Sequence, residues 1–166
     1  MGTKYTNEIA LGIFWVGVED WNRRYFDALI PLPNGTSYNA YLIVGKEKVI
    51  LVDSVQKNFQ EEMLEKIGEM VNPERIDYVV MNHAEPDHAG AIPRVLEVAK
   101  NAKLIVTKMG VEMARIFYDV PSERTVMVKD GDTLGLGAKT LKFVEAPWLH
   151  WPETMFTYCV EDGVLF

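Results

Sequence analysis

All three histidines of this 166-residue chain belong to one sequence pattern that also contains acidic residues. The pattern consists of His83, Glu85, Asp87 and His88, which stand close together, and of His150 further along the chain. Imidazole nitrogens and carboxylate oxygens are the ligands that zinc and non-haem iron bind in proteins. The sequence therefore predicts a metal site.

The number of these groups indicates two metal ions side by side. Five ligand groups exceed what one ion takes from a single motif with such close spacing. We expect His83 and Glu85 to serve one ion and Asp87 and His88 to serve the other, with His150 completing a set from a distant loop. The alternative is a solvated loop in which the histidines are incidental.

The elements that position this motif alternate between strands and helices. Apolar and β-branched runs predict strands at residues 9–18, 25–32, 38–44, 48–55, 77–81, 104–107, 125–128, 134–136, 142–145, 155–160 and 164–166. Helical spacing predicts helices at residues 59–71, 91–100 and 110–118. The motif begins where strand 77–81 ends, which is where α/β proteins place ligand groups. Pro86 disfavours a helix there and predicts an extended Glu85, with alternate side chains on a common side.

Composition and charge exclude several classes of function. The net charge is −7 and the isoelectric point is near 5.0, so we expect no nucleic-acid partner and no anionic membrane partner. The sequence contains no apolar run of ~18 residues that would predict a membrane span. The single cysteine, Cys159, excludes an internal disulfide and predicts a cytoplasmic location, and its apolar surroundings predict a buried thiol.

The motif resembles that of a known family. The pattern H-x-E-x-D-H at residues 83–88, followed by WLHWP at residues 148–152, looks like the flavodiiron proteins. These A-type flavoproteins are oxygen and nitric oxide reductases of the metallo-β-lactamase superfamily. The segments GTSYNAYL at residues 35–42 and VILVD at residues 49–53 are similar to the family as well. The resemblance covers about residues 12–166 and implies the N-terminal part of an αββα sandwich, an α/β (α+β) fold with a mixed sheet and helices on one face.

The resemblance also implies a ligand assignment and a metal. His83, Glu85 and His150 would bind one iron, and Asp87 and His88 would bind the second. Hydrolases of the superfamily typically have histidine where this chain has Glu85. An imidazole there suits zinc and water activation, whereas an anionic oxygen donor favours the higher oxidation state of iron and a redox site. The implied function is a diiron oxidoreductase that reduces O2 to water or NO to N2O.

Parts of the family pattern lie outside this sequence, so we interpret residues 1–166 as a partial metallo-β-lactamase-like domain. In the family, a bridging aspartate follows a strand that matches residues 164–166, and a further histidine ligand has no counterpart among the three histidines here. The flavodoxin-like domain that holds FMN is absent as well. Because reduction of O2 takes four electrons and two ferrous ions supply two, the complete protein needs the flavin and an electron donor such as rubredoxin. We therefore expect the chain alone to bind no FMN and to be inactive.

Two functions of other classes remain open beside the flavodiiron reductase. One is a flavin-independent diiron protein that binds or senses oxygen. The other is a zinc hydrolase of the metallo-β-lactamase superfamily, which Glu85 disfavours.

Further residues and the partial fold carry predictions of their own. Asp53 ends a strand near the motif and either orients a metal-binding loop or is a solvated turn residue. Trp148 and Trp151 flank His150, and either they line the oxygen pocket or, as we predict, they pack in the core. We also expect one face of the sheet to lack its partner half. Because a large apolar patch is rarely left in water, this predicts a homodimer or a higher homo-oligomer, or poor solubility. If the rest of the protein is a separate chain, that chain is the alternative cover.

Overall fold

The computed structural model describes residues 7–166, and all structural statements below refer to them. The strands β1 to β15 are, in chain order, Asn7–Ala10, Ile13–Trp15, Val18–Asp20, Tyr25–Phe26, Ile30–Pro31, Thr36–Tyr38, Tyr41–Val44, Val49–Val52, Tyr78–Val80, Lys103–Val106, Thr125–Met127, Thr133–Gly135, Thr140–Glu145, Met155–Cys159 and Val164–Leu165. The α-helices α1 to α4 are Gln60–Gly68, Pro86–Ala89, Ile92–Val98 and Lys108–Tyr118. Short 3-10 turns lie at Lys57–Phe59, Pro73–Arg75 and Ser122–Arg124.

Two main sheets form the frame of the molecule. The larger sheet has seven strands in the order β1-β2-β7-β8-β9-β10-β11, antiparallel as far as β8 and parallel from β8 to β11. The smaller sheet has four antiparallel strands in the order β12-β13-β14-β15. The predicted α/β fold with a mixed sheet is therefore confirmed.

The larger sheet is buried on both faces, which explains its continuously apolar strands. In β8, Val49 and Leu51 belong to the core under helices α1, α3 and α4. Ile50 and Val52 belong to a second core between the two sheets. Successive side chains of a strand point to opposite faces, so a strand between two cores must be apolar at every position.

The expectation that one face of this sheet lacks its partner is wrong. Ile43, Ile50 and Val80 lie on that face and are fully buried. They pack against Leu141 and Phe143 of β13 in the second sheet, so β12 to β15 supply the cover that we expected from another subunit. A homo-oligomer is therefore not needed to cover this face, and the oligomeric state stays a prediction.

Two predicted strands near the N-terminus are in fact several shorter ones. The run at residues 9–18 is broken by a turn at Gly12, whose φ of +71° favours glycine, and β3 pairs with β6 in a separate small sheet. The run at residues 25–32 is the hairpin β4–β5, which turns through Asp27 and Ala28 with positive φ. An apolar run alone did not distinguish one long strand from two short strands joined by a tight turn.

The metal motif differs from its predicted conformation in one respect. Glu85 is extended, as predicted, with φ −66° and ψ 143°. From Pro86 onward, however, the chain forms the single-turn helix α2 rather than continuing as an extended segment. Proline is well tolerated as the first residue of a helix, because its missing N–H would have no helical partner there. His83, Glu85 and Asp87 therefore do not alternate along one extended chain.

The described residues contain no helix that combines the length and the apolar character needed to cross a lipid bilayer.

Candidate metal centre

Three of the predicted ligands meet at one point. His83 follows β9, Glu85 precedes α2, and His150 lies in the loop between β13 and β14. One ligand atom from each of the three lies within 4.8 Å of the other two. Oε2 of Glu85 is 3.2 Å from Nε2 of His83 and 3.0 Å from Nε2 of His150. The three side chains thus present two nitrogens and one oxygen to a common volume.

The other two predicted ligands lie beside this cluster. The ring centres of His83 and His88 are 5.7 Å apart. Oδ2 of Asp87 is 3.6 Å from Nε2 of His88. The second oxygen of Asp87, Oδ1, is buried and has no hydrogen-bond partner among residues 7–166. The structure therefore brings all five predicted residues together, three in one close group and two next to it.

Electrostatics couple Glu85 to its two histidines. Burial alone would raise the pKa of Glu85, but the hydrogen bonds with His150 and His83 hold it below its usual value. Burial alone would lower the pKa of His83, and its contacts with Glu153 and Glu85 outweigh this and raise it. The cluster therefore favours an anionic carboxylate between nitrogen donors.

The loop that carries His150 has an uncommon backbone. Trp148 has φ +66° and His150 has φ +113°, and both lie in the region that side chains other than glycine rarely adopt. Such conformations cost of order 1–3 kcal/mol each and occur preferentially at functional sites. The loop is closed by a hydrogen bond from Trp148 N to Trp151 O at 2.9 Å, which directs His150 towards Glu85.

The two tryptophans beside His150 have different environments. Trp151 is half-buried and its ring meets the His83 ring edge-on, with centres 4.9 Å apart. Trp148 is 76% exposed. The prediction that both tryptophans pack in the core is therefore wrong for Trp148, whose left-handed backbone turns its side chain away from the core.

Asp53 supports the motif from the end of β8. Its Oδ1 accepts a hydrogen bond from Asn82 N at 2.8 Å, and its Oδ2 lies 3.4 Å from Asn82 Nδ2. Burial raises the pKa of Asp53 to about 6, although the charges of His88 and His83 and the hydrogen bonds from Asn82 act in the opposite direction. Its φ of +56° is again left-handed. Asp53 thus holds the residue that immediately precedes His83.

Sequence reasoning missed three residues that hold the predicted ligand residues in place. Asn82 accepts a hydrogen bond from Thr157 Oγ1 at 2.7 Å and so ties the motif to β14. Ser54 donates from its backbone N to His88 O at 2.7 Å and from its hydroxyl to the same oxygen at 3.0 Å. Glu153 contacts His83 directly. Adjacency to His83 and Asp53 was a signal for Asn82 and Ser54, whereas nothing near Glu153 in the sequence indicated its burial.

A cleft of about 230 Å³ opens beside the ligand cluster. The residues that line it are Arg23, Phe26, Asp27, Leu32, Thr36, Tyr38, Gln56, Glu85, Pro86 and Asp87. Burial and the hydrogen bond to Asp20 raise the pKa of Tyr38 to about 12, so its hydroxyl stays protonated at neutral pH. The cleft can admit a small molecule to the side of the cluster.

A mixed sheet packed between helices and a second sheet, with ligand-type side chains where its strands end, defines a metallo-β-lactamase-like domain. A family model described as "ODP family beta lactamase" matches residues 36–166. The chain belongs to this family, and it corresponds to the N-terminal part of flavodiiron proteins. The resemblance predicted from the motif is thus confirmed.

Individual relatives agree with this assignment. The flavo-diiron protein FprA2 of Clostridium acetobutylicum is 45% identical over 155 residues, which are 93% of this chain and 38% of that protein. A nitric oxide reductase of Moorella thermoacetica is 43% identical over 155 residues, which are 93% of this chain and 39% of that protein. The chain therefore spans about two fifths of the length of these relatives.

A solved structure shows the same fold. The rubredoxin oxygen:oxidoreductase of Desulfovibrio gigas superimposes with a TM-score of 0.91 at 36% identity. The match covers 96% of this chain and 40% of that one.

Proposed function

We propose that this chain is the metal-binding part of a diiron oxidoreductase that reduces O2 to water or NO to N2O. In this proposal His83, Glu85 and His150 bind one iron, and Asp87 and His88 contribute to a second. The observation that carries it is the close group of His83, Glu85 and His150, with a carboxylate where a zinc hydrolase would have a third imidazole.

The donor atoms support iron at the first position. Glu85 contributes a negative charge and a hard oxygen, and both favour the ferric state over the ferrous state. Its Oε2 lies within hydrogen-bonding distance of both Nε2 atoms, which is the arrangement expected of ligands that converge on one cation. Two neutral imidazoles and one carboxylate also match the ligand set of redox-active non-haem iron sites.

The second position is supported by Asp87. A buried carboxylate oxygen without a hydrogen-bond partner is costly, so an unpaired Oδ1 calls for a cation or a donor that satisfies it. His88 follows Asp87 directly, and its backbone carbonyl accepts two hydrogen bonds from Ser54. These bonds fix the backbone from which the His88 imidazole extends. These two side chains supply fewer ligands than the first set, and we infer a weaker second site.

Other residues line the space beside the proposed metal site in which the substrate would react. When bound, the two ferrous ions would supply two of the electrons that the reduction requires. The cleft beside Glu85 has apolar groups of Phe26 and Leu32 in its wall together with the charged Arg23 and Asp27, and its volume of about 230 Å³ is large enough for O2 or NO. Trp151 packs against the His83 ring and excludes water from that side of the ligand.

The proposal also concerns the electron donor and the cellular location of the complete protein. The D. gigas relative is named a rubredoxin oxygen:oxidoreductase, so we infer a rubredoxin or another reductase as the electron donor of the complete protein. FMN would belong to a flavodoxin-like domain and not to these residues. A cytoplasmic location stays a prediction that depends on the single cysteine, Cys159.

The test loads the metal-free chain anaerobically with ferrous iron and counts the bound iron by elemental analysis. The loaded chain is then mixed with O2 or NO beside reduced rubredoxin and a flavoprotein reductase, and gas consumption is followed with an electrode. We expect gas consumption above that of free iron, and a loss of it in the His150→Ala variant. Retention of zinc in preference to iron, with hydrolysis of a β-lactam or a thioester, would overturn the proposal.

A further inference from the structure

Glu153 is the most deeply buried carboxylate near the ligand cluster. Its side chain lies in the turn before β14 and only 2% of the residue is exposed. Acidic side chains are almost never this buried unless they are paired. The partners of Glu153 should therefore indicate its role.

One oxygen of Glu153 accepts two hydrogen bonds from the metal motif. Oε1 lies 2.8 Å from the backbone nitrogen of Ala84 and 2.8 Å from Nδ1 of His83. The backbone N–H of Ala84 is always a donor, so Oε1 acts as the acceptor at this point. His83 Nδ1 is closer to this oxygen, at 2.8 Å, than His83 Nε2 is to Glu85 Oε2, at 3.2 Å, so the geometry favours a proton on Nδ1 that is donated to Oε1.

The position of that proton determines which nitrogen of His83 is free. With hydrogen on Nδ1, the lone pair of a neutral imidazole is on Nε2. Nε2 is the atom 3.2 Å from Glu85 Oε2, within the group formed with His150. Glu153 thus selects the tautomer and the ring orientation in which Nε2 can act as a ligand.

Glu153 is itself held in place from behind. Thr107 Oγ1 donates to the backbone oxygen of Glu153 at 3.0 Å and accepts from Gly110 N at 3.1 Å as the N-cap of α4. Tyr118, at the end of the same helix, donates its hydroxyl to Ala84 O at 2.6 Å. The Ala84 peptide is therefore bound on both sides, by Glu153 at its N–H and by Tyr118 at its carbonyl oxygen.

We propose that Glu153 is the positioning residue for His83, binding its Nδ1–H and directing Nε2 towards Glu85 and His150. This inference rests on the metal site proposed above. Metal-bound histidines generally donate their other N–H to such a partner, and loss of the partner typically weakens metal binding by ~10–100-fold.

The test uses two variants of Glu153, one that removes only its negative charge and one that also removes its hydrogen bonds. Glu153→Gln keeps an oxygen acceptor for Ala84 and His83 but removes the negative charge. Glu153→Ala removes both hydrogen bonds. Glu112→Gln is the control, because Glu112 is exposed on α4 and, among the described residues, pairs with Arg115.

Two measurements separate positioning from a merely structural role. Nitrogen-15 NMR of histidine-labelled, metal-free chain reports the tautomer of His83 at a pH above its titration. Competition with a chromophoric chelator reports the affinity for Co2+ as a spectroscopic stand-in for ferrous iron. We expect His83 to carry its proton on Nδ1 in the parent and in Glu153→Gln, and to populate both tautomers in Glu153→Ala.

The affinity for Co2+ should also fall more in Glu153→Ala than in Glu153→Gln. We expect Co2+ binding to weaken several-fold in Glu153→Gln and ~10–100-fold in Glu153→Ala, with no change in Glu112→Gln. The proposal is overturned if Glu153→Ala keeps the parent tautomer or the parent affinity. If Glu153→Ala does not fold, an unchanged affinity in Glu153→Gln overturns it instead. If the parent binds no Co2+, the proposed function fails, while the NMR comparison still decides the role of Glu153.

Discussion

Glu85 and His150 are 65 positions apart in the chain, yet Oε2 of Glu85 lies 3.0 Å from Nε2 of His150. This contact joins a residue at the start of α2 to a loop with a left-handed backbone before β14. Of the cluster residues, Glu85 is the one that distinguishes this ligand set from the three-histidine sets typical of zinc hydrolases. Its charge should therefore decide which metal the cluster prefers.

Replacement of Glu85 by histidine should change the metal preference. Glu85→His gives a set of three imidazoles, which is the ligand set of catalytic zinc sites, and removes the anionic oxygen donor. We expect the ratio of zinc to iron bound in competition to rise by roughly tenfold. The measurement is elemental analysis after equilibration with equal concentrations of Zn2+ and Fe2+ without oxygen.

The matched control is Glu85→Gln, which keeps the size and an oxygen donor but removes the charge. Its zinc-to-iron ratio should lie between those of the parent and Glu85→His. An unchanged ratio in both variants would mean that the charge of residue 85 does not select the metal.

The two groups of ligands should lose metal to different extents. Three side chains converge in the first group, whereas Asp87 and His88 supply only two. We therefore expect His83→Ala to lose most of the bound iron and His88→Ala to keep most of it. Elemental analysis of aerobically and anaerobically prepared protein measures this, and equal loss in both variants, or two tightly held ions per parent chain, would contradict the ranking.

Much of the fold follows from local patterns in the sequence. The strands β8, β9 and β10 were predictable because a strand between two cores must be apolar on both faces. That the predicted ligand residues lie together was predictable because all three histidines fall into one pattern with Glu85 and Asp87. Features that depend on residues close together in the chain, such as a buried strand or a short motif, can therefore be predicted from the sequence.

The remaining features depend on contacts that no local pattern contains. Glu153 reads as an ordinary turn carboxylate, and only the hydrogen bonds that join β14 to Asn82 bring it to His83. Pro86 reads as a helix breaker, yet it is the first residue of α2. Trp148 reads as a core aromatic, and its φ of +66° turns it out to solvent. Each of these errors came from applying a local tendency where tertiary structure decides.

Gly90 should be intolerant of a side chain. A Cβ at this position would lie 2.5 Å from Pro86 O and 2.9 Å from Lys57 N, both of which are backbone atoms that cannot move independently. We expect Gly90→Ala to lower the free energy of unfolding by about 1–3 kcal/mol, because the segment must shift to relieve the overlap. The measurement is urea denaturation followed by circular dichroism.

Gly68 provides the contrasting variant. It is the last residue of α1, and a Cβ there meets no atom within 4 Å. Gly68→Ala should be neutral or raise the free energy of unfolding by up to about 1 kcal/mol, because alanine has the higher helix propensity. Equal effects of the two substitutions would show that close packing at α2 does not constrain residue 90.

Asp53 should make the metal-free chain less stable as the pH rises towards neutrality. Burial raises the pKa of Asp53 to about 6 in the folded chain, whereas an unfolded aspartate titrates near ~4. Because the folded pKa is the higher one, the contribution of Asp53 to stability is fully present below about pH 4 and is lost as the pH rises through 6. Asp53→Asn is neutral at every pH and should not lose stability in this way.

The difference in unfolding free energy between Asp53→Asn and the parent should therefore shift in favour of the variant between pH 4 and pH 7. Two pKa units correspond to at most ~3 kcal/mol, and because Asp53 is partly accessible to solvent we expect about half of that. Urea denaturation at several pH values, with a chelator present, measures the shift. The control is Asp119→Asn, since Asp119 is exposed but has a similar left-handed φ of +53°, so asparagine has the same backbone effect at both sites. If the difference in unfolding free energy between Asp53→Asn and the parent does not change with pH, burial does not raise the pKa of the Asp53 side chain.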